Sequence, residues 1–197
     1  MAGVRALTSA FRAGNFEPLD GKDTAAVITG SATLIDATTV AVGKGEDRIT
    51  VTAPTILINT GSEPVIADIP GLANSSHAVS STGLNQKDKL PERLAIVGGG
   101  YLGLEFAAIY QHFGTQVTEV VDVRDNETTS TLVYEKDGQT LTVDAEAVLA
   151  ATGRMPAISK LNLEAAGVST TARGAIEDDE DLRTSQSHIF ASSPSAT

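Results

Sequence analysis

The sequence predicts an α/β fold with antiparallel β-meanders, and three observations lead to it. An apolar strand at residues 94–97 is followed at once by a glycine motif and a helix pattern. Short runs of strand-forming residues, bounded by Gly, Asp and Asn, lie before and after this segment. Residues 49–64 and 141–156 repeat one another at a constant offset of 92 residues. A repeated pattern of this kind predicts two related α/β units.

The composition excludes several classes of function. The 197 residues carry a net charge of −11, so a nucleic-acid or anionic-membrane partner is not expected. Cysteine is absent, which excludes disulfides, thiolate nucleophiles and a dithiol redox pair within this sequence. The sequence shows neither a signal-peptide pattern nor a membrane-length apolar run, so a cytoplasmic location is the default expectation.

The first ninety residues predict one short helix and several strands. Val4, Leu7 and Phe11 have the spacing of a short amphipathic helix. The run 55–59 suits a strand buried on both faces, and residues 62–90, rich in Ser, Pro and Gly, read as a connection. Four further strand candidates, which would form an antiparallel meander, are residues 25–28, 32–35, 39–42 and 48–51.

The second half predicts a buried strand, a helix and a second meander. A helix is expected from 101 to 113, with Gly114 as its C-terminal stop. Its expected core face comprises Leu102, Phe106, Ile109 and Phe113. Residues 116–123 are expected to form a strand, and residues 192–197 are expected to be disordered. Further strands are expected at 131–135, 140–144 and 147–151, with a hairpin turn at 136–138.

The motif Gly98-x-Gly100-x-x-Gly103 indicates a Rossmann-type dinucleotide-binding site, because it follows a strand and opens a helix. In this reading Gly98 makes the tight turn, Gly100 admits the pyrophosphate and Gly103 lets the helix pack on the strand. The helix dipole then favours the phosphates. The alternative is an ordinary glycine-rich turn between a strand and a helix.

Other side chains near this motif each allow a functional and a structural interpretation. Glu119 or Asp122 lies near the position expected to bind ribose hydroxyls, but both also suit a solvated strand. Glu105 is expected in the first helical turn, where the dipole stabilises a carboxylate. Tyr101 could shield a flavin or nicotinamide ring or simply pack, and Arg154 could bind a phosphate or be a surface residue. No metal or catalytic spacing links the three histidines, which are His77, His112 and His188.

The repeat identifies two equivalent Thr-Gly segments, Thr60-Gly61 and Thr152-Gly153. Seven of the sixteen positions are identical between residues 49–64 and 141–156. Each copy follows a run of short strands, so the Thr-Gly ends are expected to approach a ligand, where glycine permits close contact. Chance similarity between two strand-turn segments is the alternative.

These motifs together resemble the class I pyridine nucleotide-disulfide oxidoreductases, a family that includes dihydrolipoamide dehydrogenase, mercuric reductase and hypothiocyanous acid reductase. The resemblance covers nearly the whole chain, and the order of its motifs is specific. The segments that carry it are LPERLAIVGGGYLGLEFA (90–107), ILINTGSEP (56–64), VLAATGRMP (148–156), STGLNQKDKLP (81–91), LNLEAAGV (161–168) and LRTSQSHIFA (182–191).

The resemblance implies a set of cofactor-binding residues. The glycines of the motif would hold the NAD(P) pyrophosphate, and Tyr101 and Glu105 would lie near the nicotinamide and flavin rings. Gly153 would line the nicotinamide side, while Thr60 and Gly61 would touch FAD. The full set is Gly98, Gly99, Gly100, Tyr101, Gly103, Glu105, Gly153, Thr60 and Gly61.

The departures from the family pattern lead us to expect an incomplete copy. The family's first FAD motif, its cysteine pair and its C-terminal dimerisation domain are absent from the sequence, and a second βαβ unit is expected to be missing after residue 118. The expected domains are therefore a partial FAD-binding domain (1–91), a shortened NAD(P)-binding domain (92–156) and a return segment of the FAD domain (157–197).

The function implied is that of an FAD/NAD(P)-dependent oxidoreductase fragment that keeps NAD(P)H binding. The intact family transfers hydride from NAD(P)H to FAD and then to a disulfide or another oxidant. Without the first FAD motif, FAD binding by this chain alone is not expected. Two alternatives stay open: a non-catalytic nucleotide-binding module that works with a complementing chain or as a homo-oligomer, and a truncated product without function.

Overall fold

The computed structural model describes residues 2–19, 22–43, 45–119, 122–136 and 138–192. Within these residues the helices are α1 (Ala2–Phe16), α2 (Ser81–Asn85) and α3 (Tyr101–His112). The strands are β1 (Ala32–Leu34), β2 (Thr39–Val42), β3 (Ile49–Thr52), β4 (Ile56–Ile58), β5 (Ser62–Pro64), β6 (Ala78–Val79), β7 (Arg93–Val97), β8 (Gln116–Glu119), β9 (Asp122–Asp125), β10 (Ser130–Lys136), β11 (Gln139–Ala145), β12 (Ala147–Ala150), β13 (Arg154–Pro156) and β14 (Ile189–Ala191).

The chain divides into two units, each made of two separate stretches of sequence. Unit 1 comprises residues 1–17 and 64–153, and unit 2 comprises residues 18–63 and 154–197. The division after residue 63 differs from the expected boundary after residue 91. The physical reason is that Leu72 and Leu84 are completely buried in the cores of unit 1, so the segment before residue 91 packs there.

Unit 1 is built on a parallel sheet. Four strands pair in the order β6-β12-β7-β8, and all three pairings are parallel. The strands β9, β10 and β11 form a separate antiparallel meander. Residues of the meander and of the sheet share one core cluster, while residues of α2, α3 and the sheet share another. Both faces of the sheet are therefore covered, as parallel sheets require.

Unit 2 also contains a meander that leads into a parallel strand, but it has a smaller sheet and no α-helix among its described residues. The strands β1, β2 and β3 form the antiparallel meander, and β14 is the one described strand that pairs with β4, in parallel. Its core cluster contains Leu34, Ile58 and Ile189 together with residues of the 158–176 segment. The repeated segments thus fold alike, as β3-β4-β5 and β11-β12-β13, and β5 pairs with β13.

Two expectations for unit 2 are wrong. Residues 25–28 form no strand, and Val27 and Ile28 stay exposed, because no described strand pairs with them. The expected strand at 55–59 forms as the shorter β4, but it is not buried on both faces. Leu57 is 63% exposed, since no described element covers its side of the sheet.

Three expectations for unit 1 need correction. The helix α1 forms, but Leu7 and Phe11 of its apolar stripe are exposed. The expected strand at 116–123 is divided between β8 and β9, with residues 120 and 121 outside the described chain. The core face of α3 is rotated from the expected one. Ile109 and Phe113 are exposed, whereas Gly103 and Tyr110 are buried, because the third glycine must face the strand it follows.

The remaining elements agree with the sequence pattern. The strands β10, β11 and β12 match the expected ones, and Gly114 ends α3 with a φ of +87°. Residue 137 of the expected hairpin turn and residues 193–197 of the tail lie outside the described chain. No described helix is both long and apolar enough to cross a membrane.

Candidate functional site

Gly98 makes the turn that ends β7, and only glycine fits there. Its φ is +110°, a conformation that side chains disfavour. A Cβ atom at this position would lie 2.5 Å from the carbonyl oxygen of Ala151, which follows the neighbouring strand β12. The turn is therefore pressed against the end of the adjacent strand, and Gly98→Ala would require backbone movement.

Gly103 allows α3 to pack closely on the turn. A Cβ atom here would overlap the carbonyl group of Gly98 and would lie 3.4 Å from the Ile96 side chain. The helix consequently begins directly above the end of β7, in the geometry expected of a dinucleotide-binding turn.

Gly100 is the open position of the motif. It is the N-cap of α3, with φ −72° and ψ 174°, and no side chain caps the helix. No atom lies within 4 Å of the position that a Cβ atom would occupy, so a ligand has access to the backbone. The first N–H groups of a helix have no intrahelical partner and favour an anion. Gly99, the residue before it, is also exposed.

A small apolar cavity adjoins this turn on the β8 side of α3. Its volume is about 100 Å³. Its lining residues come from the turn, α3 and β8, and include Gly99, Gly103, Leu104 and Val117. The cavity therefore lies between the glycine turn, the adjoining side of α3 and β8.

The two candidate site residues of α3, Tyr101 and Glu105, have exposed side chains. Tyr101, the first helical residue, is 78% exposed, so it has no packing role among the described residues. Glu105 is also exposed, and it is the fifth residue of the helix. The expectation that Glu105 lies in the first turn is wrong, since α3 begins at Tyr101 and its first turn contains no acidic residue.

The strand register separates Glu119 from Asp122. Glu119 is the last residue of β8 and pairs with Ile96, two residues before Gly98. Asp122 is the first residue of β9, in the meander. The backbone therefore places only Glu119 at the carboxyl end of the strand beside the glycine turn. Both side chains lie outside the described part of the structure.

Thr152 ties the end of β12 to the segment that enters unit 1. Its hydroxyl donates to the Val65 carbonyl oxygen over 2.6 Å and accepts from the Ala67 amide over 3.2 Å. The Val65 amide donates to the Gly153 carbonyl oxygen over 3.0 Å. Gly153 has φ +120° and no atom within 4 Å of its Cβ position, so it stays accessible. Sequence reasoning identified the Thr-Gly pair but missed this anchoring role of the hydroxyl.

The equivalent segment of unit 2 has the same open glycine. Gly61 follows β4 with φ +72°, and nothing lies within 4 Å of its Cβ position. Thr60 is exposed. The Arg154 guanidinium donates to the Ser62 hydroxyl and carbonyl oxygens over 2.7 and 2.5 Å, which joins β13 to β5. These hydrogen bonds favour a structural role for Arg154 over a contact with a phosphate.

Among the described carboxylates of unit 1, Asp125 has the pKa that departs most from its usual value. Partial burial raises its pKa, but hydrogen bonds outweigh that effect and hold the pKa well below its usual range. The donors are the Ser130 and Ser75 hydroxyls, at 2.6 and 2.7 Å, and the amide and hydroxyl of Ser76. This hydrogen-bond network connects the meander to the loop before β6. It lies away from the glycine turn in sequence, so we interpret its role as structural.

Two of the three histidines make contacts within the protein. His188 makes a hydrogen bond of 2.8 Å between its Nε2 atom and the Ala37 carbonyl oxygen, and His112 packs edge-on against Phe113. Among the described residues, no group of three His, Asp or Glu side chains could hold a metal ion.

Known proteins share this arrangement. The family model of pyridine nucleotide-disulphide oxidoreductases matches residues 6–126 and 112–193. The two matches overlap at the junction of β8 and β9. Dihydrolipoyl dehydrogenase of Geobacillus stearothermophilus is 34% identical over an alignment that covers 84% of this chain and 42% of that protein. Mercuric reductase of Staphylococcus aureus is 31% identical, with coverage of 84% and 36%.

A solved structure shows the same similarity. The HOCl-induced flavoprotein disulfide reductase RclA of Escherichia coli matches with a TM-score of 0.81 and 26% identity, over 95% of this chain and 49% of that one. The chain thus spans about half the length, or less, of the relatives it matches. Because the two matches to the family model together cover residues 6–193, the chain belongs to the pyridine nucleotide-disulphide oxidoreductase family.

Proposed function

We propose that the chain binds a nicotinamide dinucleotide in the crevice at the β7–α3 turn, above the carboxyl ends of β12, β7 and β8. The observation that carries this proposal is the division of roles among the three motif glycines. Gly98 and Gly103 are closed in by backbone, whereas Gly100 faces open space at a helix N-terminus. A pyrophosphate needs such an opening and the free N–H groups behind it.

The other candidate residues surround this crevice or its counterpart. Gly99 borders the pyrophosphate, and Gly153 lines the nicotinamide side at the end of β12. Tyr101 and Glu105 lie on the exposed side of α3, where a bound ring system would contact them. The bound nucleotide supplies a hydride in the family's chemistry. The residues of this chain bind and orient it.

Glu119 is the residue that we assign to the adenosine ribose. It ends β8 at a distance of 21 residues from Gly98, close to the spacing of the ribose-binding acid in dinucleotide-binding folds, which is about 20 residues. A carboxylate accepts hydrogen bonds from ribose hydroxyls and repels a 2′-phosphate. We therefore propose that the site prefers NAD(H) to NADP(H).

A fluorescence titration with NADH and NADPH tests the crevice. Tryptophan is absent, so the protein background is low. Gly100→Val should abolish saturable binding, because its φ of −72° and free surroundings accept a side chain that then fills the opening. Gly14→Val is the matched control, since Gly14 also has no atom within 4 Å and lies in α1.

The titration separates the nucleotide-binding interpretations of the chain from a product without function. Binding that Gly100→Val removes and Gly14→Val keeps supports both the oxidoreductase fragment and the nucleotide-binding module. Binding that both variants keep would place the nucleotide elsewhere. The absence of binding by the unaltered chain would contradict the proposal and favour a product without function.

A second candidate function is that of a nucleotide-binding module completed by another polypeptide. The observation that favours it is the two-stranded parallel sheet of unit 2, on which Leu57 is 63% exposed. Parallel sheets are normally covered on both faces, so we propose that a complementing segment supplies the missing layer and, with Thr60 and Gly61, the FAD site. Equilibrium dialysis with FAD tests this idea. Saturable FAD binding by the chain alone would contradict it.

A further inference from the structure

A groove in unit 1 has a lining that differs in charge from the rest of the chain. It lies between α1 and α2 and has a volume of about 630 Å³. None of its lining residues is acidic, and two are arginines, although the chain as a whole has 25 acidic and 14 basic residues. The lining includes Arg5, Thr8, Ser9 and Arg12 from α1 and Thr82 and Asn85 from α2.

The orientation of α1 creates this lining. Its polar stripe, at positions 5, 8, 9 and 12, faces the groove, while Leu7 and Phe11 are exposed. An amphipathic helix normally buries its apolar stripe instead. Arg5 holds the helix in place through an ion pair of 2.5 Å with Asp88 and a bond of 3.5 Å to the Gln86 carbonyl oxygen. Polar contacts, and not apolar packing, therefore define the groove.

Several donors in the groove are not used by the protein. The Arg12 guanidinium has no ion-pair partner among the described residues, whereas that of Arg5 is neutralised by Asp88. The hydroxyl of Thr8 donates to the Val4 carbonyl oxygen over 2.9 Å. The hydroxyls of Ser9 and Thr82 are free to bind a ligand within the described chain. A guanidinium flanked by hydroxyls suits an oxyanion, because its planar fork donates two parallel bonds to phosphate or carboxylate.

We propose that this groove binds a small oxyanion-bearing metabolite, with a phosphate or carboxylate group on Arg12 and further oxygens on Ser9 and Thr82. The volume lies within the range of small-molecule sites, roughly 300–1,000 Å³. This site is separate from the glycine crevice and does not depend on nucleotide binding there.

An NMR titration of the full ¹⁵N-labelled chain tests the groove, with pyrophosphate and citrate as the two probes. We expect the amide signals of Ser9, Thr82 and Asn85 to shift with at least one probe. Arg12→Gln should weaken that binding about tenfold, since it removes a charge-assisted bidentate contact. Arg12→Lys should weaken it less, because the charge stays while the fork is lost. Arg173→Gln, an equal change of charge at an exposed position in unit 2, should have no effect.

The variant Gly100→Val separates this groove from the nucleotide crevice, where pyrophosphate could also bind. In that variant the shifts at Ser9 and Thr82 should persist. A response to pyrophosphate alone identifies a phosphate ligand, and a response to citrate alone identifies a carboxylate ligand. Shifts confined to residues 99–102, no shifts with either probe, or equal binding by Arg12→Gln and the unaltered chain would each overturn the proposal.

Discussion

Both units contain an antiparallel meander that leads into a parallel strand, yet among the described residues only unit 1 covers its parallel sheet on both faces. In unit 1 four parallel strands lie between two core clusters, and Leu149 at the centre is completely buried. In unit 2 the corresponding strand β4 pairs with one described strand, β14, and Leu57, which the repeat aligns with Leu149, is 63% exposed. Equivalent sequence positions therefore have opposite environments.

Because of this difference, unit 1 is the better candidate for ligand binding. A crevice at the end of a strand needs neighbouring strands and a helix to fix its walls. Around Gly98 these walls exist, since β12 lies on one side and α3 on the other. Around Gly61 the glycine is equally open, but the sheet behind it has two strands. The open Thr-Gly segment alone does not make a site.

The strongest test of the comparison is the pair Leu149→Ala and Leu57→Ala. Leu149→Ala should lower the free energy of unfolding by about 3 kcal/mol, because it leaves a cavity in a packed core. Leu57→Ala should change it by less than about 1 kcal/mol, as expected for an exposed side chain. Urea denaturation followed by circular dichroism measures both. A large loss for Leu57→Ala would show that its face is covered in solution.

A second test concerns the packing of α3 on the glycine turn. Gly103→Ala should cost about 2 kcal/mol, since the added Cβ overlaps the Gly98 carbonyl group, and should also weaken NADH binding. Gly14→Ala is the control and should stabilise α1 by about 0.5–1 kcal/mol, because alanine favours a helix where there is space. Thermal unfolding and NADH titration read out both effects. Equal stability of the two variants would contradict the close packing.

A third test uses the pH dependence of the stability that the Asp125 hydrogen bonds contribute. The folded pKa lies below the unfolded value, so Asp125 stabilises unit 1 above about pH 4, and this contribution is lost as the pH falls further. Asp125→Asn should therefore cost about 1 kcal/mol at pH 7, allowing for solvent exposure, and the difference should shrink below pH 4. Asp68→Asn, another exposed aspartate of unit 1, is the control. A difference that stays constant from pH 7 to pH 3 would contradict the assigned network.

The smallest effect is expected at the surface ion pair between Arg5 and Asp88. Asp88→Asn should lower stability by less than about 0.5 kcal/mol, and added salt should reduce even that difference, because both groups are exposed. Circular dichroism melts at low and high salt measure this effect. A loss above about 1 kcal/mol would mean that α1 is held more firmly than one exposed pair allows.

The sequence correctly predicted elements whose structure depends on residues that are close together in the sequence. The turn at Gly98, the helix stop at Gly114 and the hairpin strands β10 and β11 follow from glycine conformation and alternating patterns. The repeat indicated that residues 49–64 and 141–156 have the same local structure, and both form a meander strand followed by a parallel strand and a short third strand. These features depend on neighbours in sequence, so a single sequence contains enough information.

The errors occur where the outcome depends on distant partners. Residues 25–28 have a strand pattern but no described strand to pair with, and Leu57 lacks a covering layer. The core face of α3 was misjudged because apolar spacing ignores that Gly103 must meet the Gly98 carbonyl. The hydrogen bonds of Thr152 to the 65–67 segment join residues 85 and 87 positions apart, and no local pattern signals them.

Hydrogen–deuterium exchange with and without NADH tests the central claim most directly, because it locates the bound nucleotide. We predict slower exchange in the backbone of residues 99–104 and at Thr152 and Gly153, and no change in these segments for Gly100→Val. Protection limited to unit 2, or equal exchange with and without NADH in the unaltered chain, would contradict a nucleotide-binding crevice at the β7–α3 turn.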